Sequence, residues 1–283
     1  MRRIEARPQS ELDSICRAIR KHIITQTTKA GSGHPTSSLS GVELLTGLFF
    51  GGHLQYDPQN PHDPKRDRFI LSKGHAAPLL YSILAQAGYF PVDQLSTLRK
   101  IGSPLEGHPN MRRLAGVEAS TGSLGQGLSL GIGHALATRM DGIAARVYVM
   151  LGDGEMDEGQ VWEAAMAAVK FSLDHLVAIV DINGYQQTGA TAEVLDLKPL
   201  APRWHGFGWH VHEVDGHNMK QVLAAYERAA VSRGRPSVIL AHTIKGYPIQ
   251  GLLGDDPNHH GKPLTEEQAR RAIREIETQT IIL

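Results

Sequence analysis

Asp153 lies between two glycines in the stretch Gly152-Asp-Gly-Glu-Met-Asp-Glu-Gly159, directly after the apolar run Val147–Leu151. A carboxylate flanked by glycines can sit on a sharp turn at a strand end, open to a ligand. A second apolar run, Leu176–Val180, is followed by Asp181-Ile-Asn-Gly-Tyr185. That places the amide oxygen of Asn183 at the end of a neighbouring strand. One carboxylate, one amide oxygen and a few further oxygens suit a hard cation such as Mg²⁺ that also holds a diphosphate. Each segment taken alone is also an ordinary tight turn. Their pairing, each after a buried strand, is what points to a metal-held diphosphate.

Three histidines stand in glycine-bearing turns: His34 in Gly31-Ser-Gly-His-Pro35, His75 in Lys73-Gly-His75 and His108 in Glu106-Gly-His-Pro109. An imidazole titrates near neutral pH and can donate to a hydroxyl or an alkoxide. Any one of them can be read as a packed or surface residue. As a set, each beside a glycine at a loop, they read as functional. The stretch Ser123-Leu-Gly-Gln-Gly127 leads into a helix. Its glycines allow close backbone approach, and the helix offers its positive end to an anion. By itself it reads equally as a helix-packing contact.

These residues need a frame. Apolar positions at helical spacing predict a helix over residues 10–28, a buried helix over Leu39–Phe50 and a helix over 76–87. Residues 68–72 read as a short strand after a polar, proline-rich loop, and 102–110 as a connector rich in turn residues. Strands are expected at 147–151, 176–180, 208–214 and 237–241. Helices are expected at 158–170 and 219–231, the latter capped by Asn218, with an amphipathic helix at 264–278. Residues 247–263 read as a flexible segment. Strands that alternate with helices and lack polar alternation imply a parallel sheet covered on both faces. The expectation is one α/β domain over residues 1–283, in three layers. In such a sheet ligands bind beyond the carboxyl ends of the strands. The loops SKGH (72–75), GDGEMDEG (152–159), DINGYQQTG (181–189) and HTIKGY (242–247) should then form one site.

Composition excludes several classes. The chain has 283 residues, 41% hydrophobic and 20% charged, and a formal net charge of zero. Nothing in that balance suggests nucleic acid or an anionic membrane as a partner. No run reaches the roughly 18 apolar residues of a membrane span. Cys16 is the single cysteine. No internal disulfide can form, and a reducing cytoplasm fits best. The polar start of the chain argues against a secretory signal.

The motif Gly152-Asp153-Gly154, followed at a distance by Ile182-Asn183, resembles the signature of thiamine-diphosphate enzymes. The family usually carries Asn-Asn at the second position. The segments GSGHPTSSLSGVELL (31–45), RDRFILSKGHAAPLLYSIL (66–84), EGHPN (106–110) and TGSLGQGLSLGIGHALA (121–137) are similar to transketolase, in order along nearly the whole chain. The resemblance implies a thiamine-diphosphate-binding fold. It implies that Asp153, the Asn183 side chain and the Tyr185 carbonyl hold Mg²⁺ or Ca²⁺ against thiamine diphosphate. Gly154 would lie against the diphosphate. Ser123, Leu124 and Gly125 would approach the cofactor, and His260 would reach the diphosphate. His34, His75 and His108 would line the substrate channel. Glu158 matches a glutamate that lies where two subunits meet and links their sites; it also reads as an exposed helix-start residue favoured by the dipole. Lys245 reads as an ordinary solvated lysine, and Glu155 receives no role.

Thr36 and Gln187-Thr-Gly189 depart from the family pattern, which leaves the sugar open more than the cofactor. The family also needs a pyrimidine-binding module with an activating glutamate, and no such residue is identifiable here. The resemblance therefore implies a C-terminal partner subunit in an α₂β₂ assembly, sugar phosphate substrates and no activity for this chain alone. The competing readings are another thiamine-diphosphate enzyme, such as a deoxyxylulose-phosphate-synthase-like chain or a 2-oxoacid dehydrogenase subunit, and a non-catalytic cofactor-binding scaffold.

Overall fold

The apolar runs assemble into five strands: β1 (Arg68–Leu71), β2 (Val147–Gly152), β3 (Leu176–Ile182), β4 (His210–Asp215) and β5 (Ser237–His242). The structure, a computed structural model, describes residues 4–249, 251 and 259–278. The strands form one sheet in the order β1-β2-β3-β5-β4, and every pairing is parallel. Ten α-helices are described: α1 (Gln9–Ala30), α2 (Pro35–Leu39), α3 (Val42–Phe50), α4 (Ala77–Gln86), α5 (Gln126–Met140), α6 (Gly159–Lys170), α7 (Thr191–Val194), α8 (Leu200–Gly206), α9 (Met219–Val231) and α10 (Glu266–Thr278).

Successive residues of a strand point to opposite faces, and here both faces are dry. The register row Leu71–Met150–Ile179–Ile239 faces a core that includes residues of α1, α3, α4, α9 and α10. The next row, Leu151–Val180–Leu240, faces a second core with residues of α5, α6 and α8. This is the three-layer α/β arrangement that the unbroken apolar runs imply. Strands β2 and β3 are buried along their whole length.

Two local expectations are corrected, and a third falls partly outside the described residues. The helix expected over Leu39–Phe50 is broken: α2 ends at Leu39 and α3 begins at Val42. A Cβ on Gly41, at the break, would lie 2.4 Å from Met150 Cε, so the chain packs tightly against β2 where it turns. The strand expected over 208–214 runs over 210–215, because Gly208 closes a turn at φ 92°. It is also only partly buried, since β4 is the edge strand. Finally, the segment expected to be flexible, 247–263, lies partly outside the described residues. Within its described part, Ile249 and His259 are buried.

Helix α5 approaches the sheet through glycine. A Cβ on Gly127 would meet Ser72 Cα at 2.8 Å and Ser72 Cβ at 2.4 Å, while the Gly127 N–H donates to Ser72 Oγ at 3.1 Å. That contact sets the start of α5 against the end of β1. Gly127→Ala is expected to destabilise the chain by about 1–3 kcal/mol through overpacking, read as a lowered denaturation midpoint.

Candidate functional site

The carboxyl ends of β1, β2 and β3 open on one cavity of about 520 Å³. Asp153 and Gly154 reach it from β2, Asn183 and Tyr185 from β3, and Lys73 and His75 from β1. The turn before α2 adds His34, and the glycine-rich loop adds Leu124. His108 and His260 complete the wall, and Glu158 stands at its edge. A larger groove of about 860 Å³, around Asp67, Arg146 and Tyr148, holds none of the candidate residues.

One end of the cavity is anionic. Asp153 is 7% exposed. Its Oδ2 accepts from Gly184 N at 2.8 Å, and Asn183 Oδ1 accepts from Tyr185 N at 3.2 Å. Among the described residues no ion pair reaches Asp153. Burial and the neighbouring Asp181 push its carboxyl up to about 6. Asp181 behaves differently. It accepts from Lys73 Nζ at 2.5 Å, from Ser40 Oγ at 2.6 Å and from the Thr243 hydroxyl. Burial works against its ionisation, but Lys73 and the hydroxyls outweigh it and hold Asp181 below the usual carboxylate range. A buried carboxylate with hydrogen bonds but no counter-cation is what a cation site offers, so Asp153 fits a divalent metal. Among the described residues no three His, Cys, Asp or Glu side chains cluster as a metal site. A cation here would rest on mixed carboxylate, amide and carbonyl oxygens, a donor set that suits Mg²⁺.

The glycine-rich loop meets expectation only in part. Leu124 lines the cavity, whereas Ser123 is exposed and off its wall. Gly125 adopts φ 82°, and a Cβ there would lie 2.8 Å from Glu158 Cβ. This packs the loop against the start of α6, where Glu158 is the exposed N-terminal residue and makes no side-chain cap. Gly154 has a nearer reason to lack a side chain than any ligand: a Cβ would meet Gln186 Cβ at 2.6 Å.

The other end is a group of imidazoles. His34, His75 and His260 form a triangle with ring centroids 5.0–5.5 Å apart. His108 faces the same cavity across Gly122, where a Cβ would lie 3.1 Å from its ring. Burial, then the charge of Lys245, lowers His260 to about 4; burial, His260 and Arg99 lower His34 to about 4. Burial and Lys73 push His75 well below its ordinary value, and burial and Arg99 lower His108. All four are thus shifted toward the neutral imidazole, which has one N–H to donate. Arg99 ties two of their loops together, donating to Ser32 Oγ at 2.7 Å and to Gly107 O at 3.4 Å.

Residues without an expected role turn out to hold the site. Glu155 is 3% exposed and accepts from Gly125 N at 2.9 Å, from Gly152 N at 3.0 Å and from the Ser72 hydroxyl. One carboxylate thus joins the end of β1, the end of β2 and the glycine-rich loop. Lys245, expected in solvent, is 3% exposed, with Nζ 3.1 Å from His260 Nδ1. Of the four expected loops, HTIKGY reaches the site through this contact, not along the cavity wall. No local pattern marks Glu155 or Lys245, because their partners are distant in sequence.

Comparison with known proteins places this geometry. Residues 13–278 match the family described as transketolase, thiamine diphosphate binding domain. The chain is 45% identical over 271 residues to the 6-deoxy-6-sulfo-D-fructose transketolase subunit of Clostridium sp. (strain MSTE9), covering 96% of this chain and 98% of that one. It is 40% identical to an apulose-4-phosphate transketolase subunit of Phocaeicola vulgatus, covering 91% of this chain and 90% of the relative. The crystal structure of transketolase from Campylobacter jejuni superposes with a TM-score of 0.89 at 30% identity, over 98% of this chain and 44% of that longer chain.

The anionic end generates a stability prediction. In the unfolded chain Asp153 should ionise near pH 4. The folded group, raised to about 6, keeps its proton through that window. Its folding cost therefore grows as pH rises from about 4 to 6 and is complete above that. Asp153→Asn is expected to stabilise the ligand-free chain at pH 7 by on the order of 1–3 kcal/mol, with little effect at pH 4. Urea melts at the two pH values check this. Equal stability of variant and parent at pH 7 would refute it.

Proposed function

The chain belongs to the transketolase family, and from that membership we propose that it is the diphosphate-binding subunit of a two-chain transketolase. One observation carries the proposal: Asp153 and Asn183, at adjacent strand ends, face the same cavity as His34, His75 and His108. The relatives named as transketolase subunits are matched over 90–98% of their own length, which supports a separate subunit here as well. The whole of residues 1–283 would serve as a single diphosphate-binding domain. No helix among the described residues is long and apolar enough to cross a membrane. With Cys16 buried and unpaired, we place the protein in the cytoplasm.

Thiamine diphosphate, bound with a metal, would supply a nucleophilic carbon suited to the transfer of a two-carbon ketol unit from a ketose to an aldose. The residues of this chain bind and orient around it. Asp153, the Asn183 side chain and the Tyr185 carbonyl would hold Mg²⁺, or Ca²⁺ in its place, which would neutralise the diphosphate. Gly154, Leu124 and the Gly125 loop border it, and His260 donates toward it. His34 and His108, both neutral, donate to the ketose oxygen where negative charge develops. His75 holds the hydroxyls of the donor sugar. Glu158, exposed at the rim, faces a neighbouring protomer. The C-terminal partner subunit brings the pyrimidine module and its activating glutamate, in an α₂β₂ assembly. Sugar phosphates are the substrate class.

Titration calorimetry tests the cofactor assignment. The chain should bind thiamine diphosphate only with Mg²⁺, and Asp153→Ala should abolish binding; unchanged binding by the variant removes Asp153 from the metal site. Ketol transfer should require the partner subunit, so turnover by the pure chain would contradict the two-chain reading. In the assembled enzyme His108→Ala should lower kcat roughly 10²–10³-fold with cofactor affinity intact, the scale of one lost donor at a developing charge.

A further inference from the structure

Away from the cavity, Arg20 of α1 and Glu43 of α3 form an ion pair in which each residue is 2% exposed. Glu43 Oε1 accepts from Arg20, and its Oε2 lies 3.2 Å from His217 Nδ1. On the other side of that ring, His217 Nε2 accepts from the Ile244 backbone N–H at 2.9 Å. A backbone N–H can only donate, so Nε2 carries the lone pair and Nδ1 carries the proton that goes to Glu43. The two contacts thus select one tautomer of the ring. It stacks on the Tyr247 ring at 3.9 Å, and the Arg20 guanidinium lies 5.3 Å from the same ring.

Three distant parts of the chain therefore converge on the turn 244–247 that follows β5. The same turn bears Lys245, whose Nζ lies 3.1 Å from His260 Nδ1. Gly246 N donates to Thr36 O at 3.1 Å, two residues from His34. A buried ion pair is weak evidence for stability, since apolar side chains of similar volume often serve as well. Its distinctive capacity is to require one geometry of its partners.

We propose that the Arg20–Glu43–His217 relay is a positioning device that locks the 244–247 turn and thereby holds Lys245 against His260, which lines the cavity. Its consequence for the cofactor rests on the thiamine-diphosphate reading; the locking of the turn does not. His217 is a positioning residue: it touches neither the cavity nor anything bound in it, and acts through the backbone of Ile244.

His217→Phe tests this, because phenylalanine retains the stacking on Tyr247 while losing both hydrogen bonds. The double variant Arg20→Met/Glu43→Leu is the second probe. It removes the buried charges and leaves His217 without its acceptor. Hydrogen exchange of the full-length chain, followed by mass spectrometry, should quicken roughly tenfold or more across 244–249 in both variants, with β2 and β3 unchanged. Binding of thiamine diphosphate with Mg²⁺, by calorimetry, should weaken roughly 10-fold, the scale of losing a supporting partner. Unchanged exchange at 244–249 in folded His217→Phe would overturn the relay. Faster exchange everywhere, with a matching fall in Tm, would reduce it to general stability and overturn it too. Faster local exchange with unaltered affinity would sever the relay from the site and overturn the proposal. A parent chain that binds no thiamine diphosphate would refute the functional reading instead, and exchange would still decide whether the turn is locked.

Discussion

The structure turns on a carboxylate that is out of water without a counter-charge. Asp153 is buried at the carboxyl end of β2, and Asp181 lies beside it at the end of β3. Asp181 is neutralised within the protein by Lys73 and two hydroxyls. Among the described residues, Asp153 accepts only from backbone N–H groups. Burying an ion without a partner is costly, and such a group either takes up a proton or takes a cation. The raised carboxyl of Asp153 is the first response; a bound cation would be the second. A site that is unfavourable when empty is favourable when filled, which is the usual relation between stability and function at such positions.

Holding that arrangement takes more than the residues that face the cavity. Glu155 gathers the backbone of two glycines and the hydroxyl of Ser72, so one carboxylate ties together the end of β1, the end of β2 and the glycine-rich loop. Gly127 brings α5 down onto Ser72 from the same side. On the imidazole side, Arg99 links the loops of His34 and His108, and Lys245 braces His260. Cations near the rings and burial around them act together. Each lowers the basicity of the imidazoles and so favours neutral donors over charges needing anions.

Much of this was legible from residue order. Unbroken apolar runs between helical stretches imply a parallel sheet buried on both faces, and the strand ends then locate the site. Asp153, Asn183 and the three glycine-flanked histidines follow from their position after strands or in turns, and all five reach one cavity. What stayed hidden has a common cause. Glu155 sits beside Asp153 in sequence, but two of its three partners, Ser72 and Gly125, come from other loops. Lys245 resembles any lysine in a polar turn, and only its burial against His260 separates it from a solvated one. The break between α2 and α3 could not be seen in an apolar stretch, because its reason is the side chain of Met150 on another element.

The sequence by itself determined the layer architecture, the end of the sheet at which the candidate residues gather and the residue types available there, because these depend on local periodicity and on chain order. Tertiary structure alone decided which charges are compensated. Asp153 and Asp181 are the same side chain after neighbouring strands, yet one keeps its proton to about pH 6 and the other is held ionised. The difference is the placement of Lys73, Ser40 and Thr243, and no pattern along the chain encodes a distance between residues that meet only when the sheet closes.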